Sequence, residues 1–264
     1  MTEHPFDWLA CPHCGGPLSR HDGALSCPNH HSFDIARQGY VNLLGHAAPH
    51  NADTPAMLDA RARFLGSHLY DPIADDVVAA VGKARRIVEV GAGTGFYLGY
   101  LLDELPEAIG LATDVSPAAA KRAARAHPRA ASIVADTWAG LPLRDGVADA
   151  ILCVFAPRNS AEFARILAPG GRLVVVVPTA KHLAGLRERH GLLDVSDDKA
   201  DTVAAAFPGW RSRRSPVDYQ MALTGTLGAD LVAMGPNAFH TPPSDIPDEF
   251  ATVSVTVMTF IRPE

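Results

Sequence analysis

Arg86-Ile-Val-Glu-Val-Gly-Ala-Gly-Thr-Gly-Phe96 is the stretch on which the fold turns. Its apolar half, IVEV, reads as a buried strand, and the FYLGYLLDEL that follows reads as a helix. Between them, Gly91, Gly93, Thr94 and Gly95 form a loop in which glycine permits a tight turn and close approach of a ligand. The helix offers free N–H groups at its amino end. Two acids sharpen the pattern. Glu89 lies inside the strand, just before the loop. Asp114, in GLATDVS, follows the loop by about twenty residues, at the tip of a second strand, where a carboxylate can hold ribose hydroxyls.

NAD and S-adenosylmethionine (SAM) both use such an arrangement. A dinucleotide loop runs GxGxxG, whereas this one runs GxGxG with an acid inside the strand. That form resembles the class I SAM-dependent methyltransferases. Asp136, after the apolar ASIVA, stands where those enzymes place an acid near the adenine amino group. Asp149–Pro157 reads as the fourth strand, its end facing the methyl group. Phe163–Gly171 resembles the family's helix and tight turn, and Arg172–Pro178 its fifth strand. Strands and helices alternate from residue 86 to about 235, which predicts an α/β fold with a Rossmann-like, mostly parallel, seven-stranded sheet. The closing ATVSVTVMTFIRPE alternates, as a strand with one buried face would. MGPNAFH and the following TPPSDIP read as a loop.

A second pattern lies near the amino end. Cys11-Pro-His-Cys14 is followed by twelve residues, Cys27, and a histidine pair, His30-His31. A CxxC knuckle holds one side of a tetrahedral zinc, and Cys27 with a histidine supplies the other. Four protein ligands leave no open position, so the metal is expected to be structural. Spacing alone leaves His30 and His31 both open, while His13, inside the CxxC, is expected to point away. PLSRHDGALS between the cysteines reads as a hairpin turning at His21-Asp22-Gly23. No leader is expected before this segment, so its thiols are expected to stay reduced. Cys153, the remaining cysteine, reads as a buried core thiol.

The expected order is a zinc ribbon or knuckle at residues 1–45, a linker and helical segment at 46–82 (helix over 56–82), and a methyltransferase domain at 83–264. No apolar run approaches a membrane span. The net charge of −6 counts against a simple electrostatic nucleic-acid binder. Residues 1–50 hold two basic side chains against four acidic ones, together with seven of the twelve histidines.

Cys27-Pro-Asn-His-His31-Ser-Phe-Asp34-Ile-Ala-Arg37-Gln-Gly-Tyr40-Val-Asn-Leu-Leu44, behind the CxxC and ahead of the SAM motifs, resembles the bacterial 23S rRNA (guanine-N1)-methyltransferases of the RlmA family. The likeness continues through Asp53-Thr-Pro-x-Met57, Arg61-x-Arg63-Phe-Leu65, Tyr70-Asp-Pro72, Phe155-Ala-Pro157 and His182-Leu183. Val-Phe-Ala-Pro-Arg158-Asn and Met234-Gly-Pro lean toward the Gram-positive branch, which includes a tylosin-resistance enzyme. The resemblance places the fourth zinc ligand on His31. It implies methyl transfer from SAM to N1 of a guanine in a 23S rRNA hairpin loop, with a contribution to macrolide resistance. It also implies that Tyr70 and His182 line the SAM site beside Glu89, the glycine loop, Asp114 and Asp136.

The catalytic residues are not named by these patterns. Phe155 and Arg158 are candidates: Phe155 reads equally as a platform for the acceptor base and as core, and Arg158 could contact O6 or a phosphate. Arg37, Arg61, Arg63, Arg158, Lys181 and Arg187 could track RNA, while Arg211-Ser-Arg-Arg214 reads as a solvated patch. The expected partners are the rRNA hairpin and a second copy in a homodimer, with no membrane, in the cytoplasm. Two other functions fit the same motifs: a small-molecule SAM methyltransferase with the zinc segment as lid, and a non-catalytic SAM- or RNA-binding protein.

Overall fold

The computed structural model describes residues 3–240 and 245–264, so part of the expected TPPSDIP loop lies outside the described residues. A short 3-10 turn, Pro5–Trp8, leads into three small antiparallel strands: β1 (Ser19–His21), β2 (Ala24–Ser26) and β3 (Ser32–Asp34). The β1–β2 hairpin turns at Asp22 and Gly23, both in the left-handed region, as the His-Asp-Gly signal predicts. β4 (Tyr40–Asn42) follows, then α1 (Pro55–Leu65) and α2 (Asp71–Val81).

The alternating part is β5 (Arg86–Val90), α3 (Phe96–Glu104), β6 (Ile109–Asp114), α4 (Pro117–Ala123), β7 (Ala130–Val134), β8 (Ala148–Val154), α5 (Ser160–Ile166) and β9 (Leu167–Pro178). α6 (Ala184–His190), α7 (Lys199–Ala205), β10 (Arg211–Leu223), α8 (Leu227–Ala233) and β11 (Glu249–Ile261) complete the chain. The main sheet runs β10-β11-β9-β8-β5-β6-β7-β4. β9 to β4 are parallel, and β11 and β10 are antiparallel, so the sheet is mostly parallel and Rossmann-like.

The methyltransferase segment contributes the expected seven strands, β5 to β11, and the described residues add an eighth; two other expectations are corrected. The additional strand is β4, from the amino-terminal segment, with Tyr40 against Ser132 and Asn42 against Val134. The helix expected over 56–82 is two. α1 begins at a Thr54 cap that accepts from the Met57 N–H, with Pro55 in the first turn. It stops at Gly66; His68 then takes a left-handed φ of 65°, and Pro72 opens α2. β11 is buried on both faces, with Val253, Ser254, Val255, Val257 and Met258 all inside. It lies between β9 and β10 rather than at an edge, so both of its faces are covered.

The amino-terminal ribbon and the main sheet share one core. Trp8, Leu9, Leu25 and Val41 are fully buried in the same cluster as Leu111, Ile133, Ile151 and Phe163. Cys11 and Cys27 lie in that cluster too. The carboxyl ends of β4, β7, β6, β5 and β8 point the same way, because these strands are parallel. Leu43, Asp136, Asp114, Gly91 and Phe155 therefore leave the sheet at one edge, the edge where such folds bind ligands.

Candidate functional site

The zinc ligands come together. One atom from each of Cys11, Cys14, Cys27 and His31 lies within 4.8 Å of all the others. His31 Nδ1 is 3.4 Å from Cys11 Sγ and 3.3 Å from Cys27 Sγ, and Cys14 Sγ is 3.7 Å from Cys27 Sγ. A tetrahedron built on Zn–S bonds of about 2.3 Å has S–S edges of about 3.8 Å, so the set fits zinc. Hydrogen bonding, first from the Gly16 backbone, draws the Cys14 thiol down to about 6, toward the thiolate that a metal binds. His30 takes a left-handed φ of 62° and is outside the ligand group. His13 is also outside it, its ring 5.0 Å from the His31 ring.

At the sheet edge, the glycine loop is held by its neighbours. Gly91, Gly93 and Gly95 all have positive φ. A Cβ on Gly91 would stand 2.5 Å from Ala156 Cβ, and one on Gly95 2.9 Å from Ala123 Cα. A side chain at Gly93 would run into the Arg61 guanidinium. Thr94 sits between them, half-buried. Asp114, buried, accepts the Gly93 N–H on one oxygen (2.8 Å) and the Ser116 N–H on the other (2.9 Å). Each oxygen keeps acceptor capacity for a ribose hydroxyl. Burial raises its pKa, and these two N–H groups oppose that shift. Asp136, half-buried beyond β7, accepts the Trp138 N–H. Glu89 faces inward: it accepts the Leu98 N–H from the first turn of α3, and burial pushes it up to about 8.

A group of rings faces the loop after β8. Phe155 is 41% exposed, which excludes the core reading for it. Its φ of 53° is a left-handed conformation that costs a non-glycine residue energy and is held by the surrounding structure. It lies in stacking orientation on His182, centroids 6.0 Å apart and planes at 23°. His182 Nδ1 accepts the Ser254 N–H, so its neutral form carries hydrogen on Nε2, 3.4 Å from the Tyr70 hydroxyl. Burial lowers His182 to about 4 and holds it neutral. Tyr70, itself buried, then keeps its own O–H to donate. The Tyr97 hydroxyl, buried at the start of α3, has no hydrogen-bond partner among the described residues. The positive-φ cradle, the buried Asp114 and this unpartnered hydroxyl fit a nucleoside-bearing cofactor. Arg158 bonds back to the Ala156 carbonyl.

Sequence reasoning missed the role of two arginines. Arg61 does not face an RNA path. It binds Asp53 (2.5 Å) and the Met234 carbonyl (2.5 Å) while lying against Gly93. Arg63 forks onto the buried Asp230 at 2.6 Å. The signal was present, because DTP at 53–55, Arg61-x-Arg63 and Met234-Gly-Pro recur together in the resemblance without an evident role. Arg187 is also committed, paired with Asp194. Arg37 and Lys181 are exposed.

Comparison with known proteins agrees with this geometry. The family model for the amino-terminal zinc ribbon of RlmA matches residues 9–47, and a methyltransferase-domain model matches residues 87–171. The chain is 43% identical, over 281 residues, to the 23S rRNA (guanine(748)-N(1))-methyltransferase of Streptomyces fradiae, covering 100% of this chain and 99% of that protein. It is 45% identical to a candidate 23S rRNA (guanine-N(1)-)-methyltransferase of Micromonospora griseorubida, covering 96% of this chain and 95% of the relative. Among solved structures, a Haloferax volcanii methyltransferase in complex with the Trm112 activator aligns with a TM-score of 0.52 at 18% identity, covering 80% of this chain and 99% of that one. At that identity the likeness is one of fold.

Proposed function

The chain belongs to the RlmA family of 23S rRNA (guanine-N1)-methyltransferases, and on that premise we propose that it transfers the methyl group of SAM to N1 of one guanine in a hairpin loop of 23S rRNA. The observation that carries this is the meeting, on one sheet edge, of the glycine loop with Asp114 and an exposed ring, Phe155, in a strained conformation at the end of β8. A strained residue at a ligand edge is a functional device more often than an accident.

Bound SAM supplies an electrophilic methyl group. Transfer would break the sulfonium S–CH3 bond, form the N1–CH3 bond and release the N1 proton to solvent; the protein's part is to align N1 with the methyl group, because protonated guanine N1 is a poor nucleophile. Asp114 would take the ribose hydroxyls of SAM, and the backbone of the Gly91–Gly95 loop would lie against it. Tyr97 and Tyr70 would offer hydroxyls to its amino-acid end, and Asp136 would hold the adenine. Glu89, buried against α3, secures the loop from behind. Phe155 receives the splayed guanine by stacking. His182 is neutral and donates through Nε2, so it orients Tyr70 and braces Phe155 rather than accepting a proton. Zinc through Cys11, Cys14, Cys27 and His31 fixes the ribbon, which we assign to RNA recognition. Among the described residues no helix is long and apolar enough to cross a membrane. Action on ribosomal RNA supports a cytoplasmic location.

The test is methyl transfer from labelled SAM to 23S rRNA and to its isolated hairpins. Transfer to one guanine supports the reading, and transfer to small molecules alone removes it. A contribution to macrolide resistance is tested by expression in a sensitive host. A homodimer, for which the 72% exposed Phe250 is the candidate contact, is read by light scattering.

A further inference from the structure

We propose that the cavity between the zinc ribbon and the end of β4 is a second nucleobase site, which takes an unpaired base of the substrate RNA other than the one methylated. This rests on the rRNA reading above. The cavity measures about 380 Å³ and is lined by Pro12, His13, Phe33, Asn42, Leu43 and His46. None of these residues has a part in holding the metal or the cofactor.

Its chemistry suits a base. His13 and Phe33 form a stacked pair, centroids 5.7 Å apart and planes at 21°, which presents aromatic surface. Asn42 Oδ1 accepts the Leu44 N–H at 3.0 Å, which fixes the carboxamide and leaves its two N–H donors unspent. His46 Nδ1 meets the Ala47 carbonyl at 2.9 Å, and a carbonyl only accepts. Nδ1 therefore carries the hydrogen, and Nε2 of the neutral ring is an acceptor. A stacking surface with fixed donors and an acceptor is what splayed RNA bases are read by. A phosphate would ask for cations, and residues 1–50 hold only two basic side chains against four acidic ones.

Its position excludes the methylated guanine. Asn42 ends β4, which runs parallel to β7, so the cavity opens at the same sheet edge as the cofactor loop. Between β4 and β8, the strand that delivers Phe155, lie β7, β6 and β5. Four strand spacings of about 4.8 Å put the two positions about 19 Å apart. One base cannot occupy both, and the second site therefore takes another nucleotide of the same loop.

Two variants test it. His13→Ala removes a ring of the pair and no metal ligand, and because that ring also lies 5.0 Å from the ring of His31, zinc content is the control for it. Asn42→Asp keeps the acceptor for the Leu44 N–H and removes both amide donors. Each is assayed for methylation of the RNA hairpin, SAM affinity and zinc content. The expected result is a rise in KM for the hairpin of about tenfold, the scale of one lost base stack. kcat at saturating RNA, the SAM Kd and one zinc per chain should be retained. Hairpins with single abasic positions give the readout that a structural role would not move. One non-target position should raise KM with the wild type and add nothing further with His13→Ala. A KM within twofold of wild type in both variants overturns the site, as does a rise accompanied by zinc loss in both. If the unaltered protein methylates no rRNA hairpin, the reading on which the site rests fails, and the site fails with it. If it does and the variants match it, only the site fails.

Discussion

The guanidinium of Arg61 lies in the space that a side chain at Gly93 would need. Gly93 donates its N–H to Asp114, and Arg61 binds Asp53 and the Met234 carbonyl. One side chain thus ties the segment before α1 and the end of α8 to the cofactor loop. This accounts for three motifs of the resemblance with a single latch.

Gly93→Ala should therefore damage SAM binding by two routes: contact with Arg61 and a φ of 56° that alanine resists by about 1–2 kcal/mol. Arg61→Ala should weaken SAM about tenfold, because the loop loses its brace. Calorimetry reads both, and an unchanged Kd for Arg61→Ala would reject the latch.

Asp114→Ala should weaken SAM by about 1–3 kcal/mol, the cost of polar groups left unmatched. Asp114→Asn retains bonding to the ribose in part and should fall between. Equal affinity for all three forms would show that the ribose lies elsewhere.

The ribbon shares its core with the main sheet, so metal and fold are coupled. Chelation should lower the melting temperature of the whole protein in one transition. His31→Ala should lose zinc affinity, and His30→Ala should keep it. Deleting residues 1–45 would strip β4 and the fully buried Trp8, Leu9 and Leu25, so the remainder should not fold. A separate early transition under chelation would mean that the ribbon is an independent unit.

Two buried groups make opposing contributions to the pH dependence of stability. His182, lowered to about 4, contributes stability that is present above pH 6.5 and lost as pH falls toward 4, of order 2–3 kcal/mol. Glu89, raised to about 8, contributes stability that is present below pH 4.5 and lost as pH rises through 8. Between about 4.5 and 6.5 the two slopes oppose; above 6.5 that of Glu89 remains. Glu89→Gln should flatten the decline from pH 6.5 to 8 in urea titrations, and His182→Gln should reduce the loss between pH 6.5 and 4, leaving the part carried by the paired carboxylates Asp149 and Glu162. A Glu89→Gln profile parallel to wild type would refute the assignment.

The glycine loop and the zinc ligands were legible in the sequence because each is a local pattern with a local physical cause. Gly91–Gly95 must turn, and Cys11, Cys14 and Cys27 with one of two adjacent histidines must reach one ion; spacing left His30 and His31 open, and the resemblance chose His31. β4 was not legible. Three residues carry no periodicity, and their pairing with β7 spans ninety-odd positions of chain, from Tyr40 to Ser132. The break at 66–70 was hidden because Phe64, Leu65, Ile73 and Val77 keep apolar spacing on both sides of it. Arg61 was read as a surface cation because its partners, Asp53 and Met234, lie on other elements. Charge alone does not tell a latch from a phosphate contact.

The proposed methyl transfer to guanine N1 takes place at the edge where Phe155 stands beside the glycine loop. The most direct measurement is primer extension on 23S rRNA after incubation with SAM, since N1 methylation blocks base pairing. A stop at one guanine of a hairpin loop is expected. Phe155→Ala should lose that stop at least tenfold in kcat/KM while SAM affinity and zinc content are retained. No stop with the unaltered protein, or an undiminished stop with Phe155→Ala, would contradict it.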